Sequence, residues 1–306
     1  MKIITFLSIC AIATNCVHAQ LSTAPTPTWK VTLKVVDETG LPVINANAVV
    51  DYQSIDQFSG LTDTNGIFVA SHKDKSYTLA FDVKKDGYYS VWQRYEMGWA
   101  YQYNEAKWNP TIVIVLKRII KPIPMYAKRI DAEPPTNGKP VGYDLIVGDW
   151  VGPYGKGVTI DILFTREYNR KSLQDYDYKL TVSFPKAGDG IQEFQVPYKN
   201  MEGSALRSPH EAPTNGYQSQ IVRLNMSHPG QKLIFDYDEN RVYLFRVRTA
   251  IDDRGNIVSA YYGKIYGDFM QFNYYFNPTP NSRNIEFDPK QNLMANLKLT
   301  EGVSAP

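Results

Sequence analysis

Cysteine is nearly missing from this chain. Its 306 residues hold two, Cys10 and Cys16, both near the start. Once a leader containing them is removed, no disulfide, thiol nucleophile or cysteine-held metal is left to build. Neither sign of charge is in excess: 33 Lys+Arg stand against 31 Asp+Glu, a formal +2. That balance excludes a strongly basic nucleic-acid binder and an acidic solvating tail alike. Beyond the first residues no stretch approaches the roughly 20 apolar residues that a membrane-spanning helix needs. No transmembrane segment is therefore expected, and no nucleic-acid partner.

Several catalytic patterns are missing too. There is no Gly-x-Ser-x-Gly elbow, so a serine hydrolase has no support. Gly152-Pro153-Tyr154-Gly155-Lys156-Gly157-Val158-Thr159 superficially suggests a phosphate loop, but Val158 stands where the lysine belongs. It reads as a glycine-rich turn before a strand. Asp236-Tyr237-Asp238-Glu239-Asn240 has the first three oxygen positions of a calcium loop, but Arg241 and Val247 stand at the sixth and twelfth. An EF-hand is out, and a looser calcium turn here or at Asp63-Thr64-Asn65-Gly66 competes with a plain hairpin. No cofactor or metal site is expected.

What the chain does have begins with an export signal over residues 1–19. Lys2 is the positive start, Ile3 to Ala13 the apolar stretch, and Val17-His18-Ala19 the small-residue cleavage pattern before Gln20. A lipoprotein reading of Cys16 wants a small residue before it, and Asn15 is not one. The expected destination is secreted, periplasmic or cell envelope. With 43% hydrophobic and 21% charged residues, the exported chain can bury a sizeable core.

Residues 20–28 form a Pro/Thr tether, after which polar and apolar residues alternate. Trp29, Val31, Leu33 and Val35 share one parity, with Lys30, Thr32 and Lys34 on the other, the period of a half-buried strand. Strand-like runs follow at Pro42 to Tyr52, Tyr77 to Val83 and Thr111 to Leu116, with a hairpin turn expected at Thr62 to Gly66. Five prolines between Lys117 and Pro140 mark residues 119–140 as a linker.

The second half, 141–306, reads as more strands: Val158 to Phe164, Tyr178 to Phe184, Gln220 to Met226, Lys232 to Tyr237, Val242 to Thr249 and Ile257 to Tyr266. Turn clusters punctuate them. Thr165 to Asp175 is expected to be the one helix, and the tail from Asn277 irregular. The fold class is mostly β: a first sandwich over 29–118 and a second sandwich or jelly roll.

The order Val36-Asp37, Gly40, Pro42-Val43, Asn45-Ala46, Val49, Thr62-Asp63-Thr64-Asn65-Gly66-Ile67-Phe68 and Gly87-Tyr88-Tyr89 resembles the carboxypeptidase regulatory-like domain. The resemblance runs from about Trp29 to Lys117 and implies a transthyretin-like β-sandwich. Such domains are accessory modules and bring no catalytic residues with them. A metallocarboxypeptidase would need a His-x-x-Glu pair, but Lys75, Pro213 and Gln231 stand third after His72, His210 and His228. A zinc peptidase is thereby excluded.

The most distinctive feature is aromatic density from Tyr88 to Trp108. Aromatic faces stack on sugar rings, with Gln93, Arg94, Gln102 and Asn104 as hydrogen-bonding neighbours. Trp92, Tyr95, Trp99, Tyr101, Tyr103 and Trp108 are the candidate ligand-binding residues, weighed against burial in the sandwich core. The leading expectation is an exported, non-catalytic binding or accessory protein for glycan or another cell-surface partner. The alternative is a polysaccharide-active hydrolase or lyase with an acid pair among Asp149, Asp161, Asp175, Asp177, Glu193 and Asp268. A structural subunit joined through exposed strand edges is the third.

Overall fold

The structure, a computed structural model, describes residues 28–52, 57–73, 78–96, 109–196 and 202–306. The leader, the tether up to residue 27 and both cysteines lie outside the described residues. Seven strands come first: β1 Thr28–Asp37, β2 Asn47–Asp51, β3 Gln57–Leu61, β4 Ile67–Lys73, β5 Thr78–Lys84, β6 Val91–Glu96 and β7 Thr111–Leu116. β1 sits between β4, antiparallel, and β7, parallel, in a three-stranded sheet. The other strands form a sheet in the order β6-β5-β2-β3.

Period-two alternation decides what lies between these sheets. Val31, Leu33 and Val35 of β1 are fully buried against Ala48 and Val50 of β2, Leu79, Phe81 and Val83 of β5, and Ile112, Ile114 and Leu116 of β7. The strands thus make a β-sandwich around one mainly aliphatic core, with Tyr52 and Phe81 in it.

The turn at Thr62 to Gly66 is present, but it is not a hairpin. β3 pairs with β2 and β4 with β1, so the turn carries the chain from one sheet to the other. Asp63 Oδ1 accepts from the Asn65 and Ile67 amides, both at 2.8 Å. Gly66 has φ +73°, and a Cβ there would lie 2.3 Å from the Val35 carbonyl. Only glycine lets the turn close onto β1.

The remaining strands are β8 Ile123–Ile130, β9 Pro140–Asp144, β10 Asp149–Trp150, β11 Ile162–Arg170, β12 Tyr176–Ser183, β13 Gly190–Phe194, β14 Gly203–Ser204, β15 Gln220–Ser227, β16 Ile234–Phe235, β17 Val242–Ile251, β18 Ile257–Asp268, β19 Gln271–Phe276 and β20 Phe287–Asn292. All but β14, which adds to the first sandwich beside β6, build two six-stranded sheets, β10-β9-β11-β12-β15-β16 and β13-β17-β18-β19-β8-β20. An aromatic core including Phe164, Tyr243, Phe245, Phe269, Phe272, Tyr274 and Phe276 lies between them. A further cluster, with Met125, Leu244, Tyr275, Ile285 and Phe287, covers the second sheet's other side.

Three local expectations are corrected. Thr165 to Asp175 is not a helix: it continues β11 and then turns, pairing from Leu163↔Ser183 to Arg170↔Tyr176. Its polar residues belong to a hairpin whose end is open to solvent, which hides the period of two. Ile123–Ile130, inside the proline-rich stretch, is an interior strand between β19 and β20, because its prolines fall at Pro122 and Pro124, where the strand begins. The tail is not wholly irregular, since β20 pairs parallel to β8.

Candidate functional site

β6 alternates cleanly. Val91 points into the core, while Trp92, Arg94 and Glu96 face outward. Trp92 is 40% exposed, which is unusual for an indole in a sheet. The Arg94 guanidinium lies 5.6 Å from its ring centroid. Register aligns Trp92 with Asp82, Asp82 with Val49, and Val49 with Ser59 across the outer face. Asp82 receives Lys84 Nζ at 2.5 Å.

This face runs into an open groove of about 850 Å³, lined by Asn45, Asn47, Lys84, Asp86, Tyr88 and Ser90, with Ser304 to Pro306 on another side. Ser90 precedes Trp92 by two residues. The rim is fixed from behind: Arg118 stacks on Tyr88 at 5.2 Å and donates to Asp37 Oδ2 at 2.8 Å. The Thr39 hydroxyl, then Arg118, hold the Asp37 carboxyl far below the usual carboxylate range.

Of the six aromatic residues singled out from sequence, the structure places two. Trp92 lies on the outer face, and Tyr95 packs on the other side of β6 against the sandwich core. A strand cannot present both to one ligand. Trp99, Tyr101, Tyr103 and Trp108 lie outside the described residues. Asn45 just before β2, Asn47 at its start and Lys84 at the end of β5 were missed because only strand pairing, not spacing along the chain, brings the two segments together.

Each carboxylate considered for glycoside chemistry has partners. Asp161, buried, is gripped by Arg248 at 2.7 and 2.9 Å and accepts the Leu145 amide. Asp268, also buried, accepts from Arg241 at 2.6 Å. Glu193 accepts from Arg223, and Asp149 accepts backbone amides of Trp150 and Lys156. Asp175 and Asp177 clasp His228 at 2.9 and 3.0 Å. Among the described residues, no group of three or more His, Cys, Asp or Glu side chains is placed to hold a metal ion.

A buried lysine stands apart. Lys264 is fully buried, with Nζ 3.2 Å from Ser208 Oγ and about 5 Å from the rings of Tyr266 and Tyr275. Burial pulls its pKa below the ordinary lysine value. Serine, lysine and tyrosine together could form a nucleophile with its base. All three are buried here, and Lys117 Nζ holds the Ser208 carbonyl at 3.0 Å. The grouping joins the end of β7 to β18 instead of facing a substrate.

No protein-family model matches the chain, and no curated protein matches it. Among solved structures it is similar to a protein of unknown function from Bacteroides fragilis NCTC 9343. The two are 11% identical, and the match covers 85% of this chain and 100% of that one at a TM-score of 0.23. So loose an overlay carries no argument.

Proposed function

We propose that this is an exported, non-catalytic accessory protein that recognises a polysaccharide through the outer face of its first sandwich. One observation carries the reading: the half-exposed Trp92 indole stands on a sheet face continuous with the groove of about 850 Å³. An indole offers a flat apolar surface to the C–H face of a sugar. Asn45, Asn47, Lys84, Asp86 and Ser90 ring the groove with donors and acceptors for hydroxyls. A concave, mainly preformed site with a few polar groups is the usual form of a binding pocket. The resemblance to carboxypeptidase regulatory-like modules fits an accessory role.

The test is retention of the mature protein on insoluble polysaccharides and cell-wall fractions, beside a Trp92→Ala variant. The reading expects specific retention that the variant loses. Retention on none of them, or equal retention of the variant, would overturn it.

A further inference from the structure

The inner face of the β11–β12–β15 sheet changes character along its length. Phe164, Leu180 and Val182 are buried between the two sheets, yet farther along the same face Tyr176 is half-buried and Tyr168 is 37% exposed. Met270, in the β18–β19 turn that closes this end of the opposing sheet, borders this part of the face, and β11, β12 and β15 continue past it. Residues patterned for a core therefore line an open mouth at one end of the sandwich. Its volume is about 300 Å³, and Glu133, Tyr168, Leu173, Tyr176, Tyr178 and Asn225 are among its lining residues.

One row of side chains crosses the mouth, because register places Tyr168 opposite Tyr178 and Tyr178 opposite Asn225. The two tyrosine rings meet edge to face at 6.0 Å. The Tyr178 hydroxyl is buried and has no hydrogen-bond partner among the described residues. A buried hydroxyl left in that condition costs free energy, roughly 1–3 kcal/mol, so such a group points to something that pairs with it. Asn225 Oδ1 accepts the Tyr176 hydroxyl at 2.9 Å, which leaves the amide NH₂ as its donor. Behind the row lies a space of about 20 Å³ bounded by Arg223, Asp236 and Asp268, the size of one water molecule.

We infer that this mouth binds a single uncharged sugar ring, at a site separate from Trp92 and not dependent on the reading above. Size limits the ligand, since about 300 Å³ is the lower end for small-molecule pockets and holds one ring, not a chain. Tyr168 and Leu173, the latter 79% exposed on the β11–β12 turn, offer an apolar wall for the ring's C–H face. Tyr178 and Asn225 supply donors to ring hydroxyl oxygens, and Glu133, whose Oε2 accepts from Arg166, offers Oε1 as an acceptor. The Glu133 carboxylate is ion-paired with Arg166, so its charge is met within the protein, which favours a neutral polyol over a cation. A planar aromatic ligand without polar substituents would fill the wall but leave the Tyr178 hydroxyl unpaired.

The test titrates the full mature chain with methyl glycosides of glucose, galactose, mannose and N-acetylglucosamine, followed by calorimetry and ligand-observed NMR. Tyr178→Phe removes only an unpartnered hydroxyl and should fold normally, which its thermal midpoint checks. Saturable binding of at least one glycoside is expected, weakened about ten-fold in Tyr178→Phe and further in Tyr168→Ala. No saturable binding, or equal binding by wild type and Tyr178→Phe, would overturn the site. Trp92→Ala separates the two proposals. Glycoside binding lost there but kept in Tyr178→Phe overturns this site and leaves the polysaccharide reading standing. The reverse pattern supports it even if no polysaccharide retains the protein.

Discussion

The Tyr89 hydroxyl donates to Glu286 Oε1 at 2.7 Å across 197 positions of sequence, joining the first sandwich to the segment that leads into β20. Glu286 is buried and also accepts the Ile120 and Lys121 amides at 2.9 and 2.8 Å. Burial alone would raise this carboxyl, but the donors, Tyr89 first, hold it below the ordinary glutamate value. β14 reinforces the junction by pairing Gly203 and Ser204 with Trp92 and Val91, which covers the edge of β6. Tyr89→Phe is expected to cost about 1.5–3 kcal/mol, the usual worth of a hydrogen bond to a charged group. Urea denaturation measures it, and an unchanged midpoint would contradict the account.

Arg248 holds two buried carboxylates, Asp161 with both guanidinium bonds and Asp144 at 3.4 Å. Arg248→Ala would leave those charges without their cation and is expected to destabilise by about 3–5 kcal/mol. Arg248→Lys keeps the charge but loses the two-pronged geometry, and should fall between. Denaturation of both variants against wild type is the measurement.

Lys264 predicts a pH dependence of stability. Its pKa is lowered in the folded protein, so the unfolded chain binds more protons on the way up to the ordinary lysine value of 10.5. Stability contributed by this group therefore rises with pH across that window. Lys264→Met should flatten the rise and match or exceed wild-type stability at neutral pH, since it removes a buried charge with no carboxylate beside it in the hydrogen-bonded cluster. Chemical denaturation between neutral and alkaline pH checks both points.

His228 works in reverse. Asp175 first, then Asp177, raise its pKa above 6.5. The stabilisation from the charged form is complete below 6.5 and lost as pH climbs through the higher folded value. His228→Asn should remove that decline. An NMR titration of the imidazole locates the folded pKa directly, and a value at or below 6.5 would contradict the clasp.

Strand parity was the legible part of the sequence. Thr111–Leu116 is β7 residue for residue, and the alternation after Lys30 marks the core of the first sandwich correctly. Pairing was less legible. The Asn65-Gly66 turn is visible in sequence, but whether its flanking strands pair is decided by Gly66 packing on Val35, a contact far along the chain. The exposed Trp92 could be singled out as an aromatic, while its face could not, because a helical stripe with Tyr95 and a strand fit equally well. Tyr168, Tyr176 and Tyr178 escaped notice for a different reason. They carry a core pattern, and only the early end of the opposing sheet turns that core face into a mouth.

The central claim is that the outer face of the first sandwich binds polysaccharide through Trp92. The most direct measurement is a depletion isotherm of wild type and Trp92→Ala on whichever insoluble polysaccharide retains the protein. A surface indole contributes little to folding, so both should unfold within about 0.5 kcal/mol of each other. The account predicts saturable wild-type binding and a loss of at least about ten-fold in the variant, as removal of a stacked aromatic anchor usually brings. Superimposable isotherms from two equally stable proteins would contradict it.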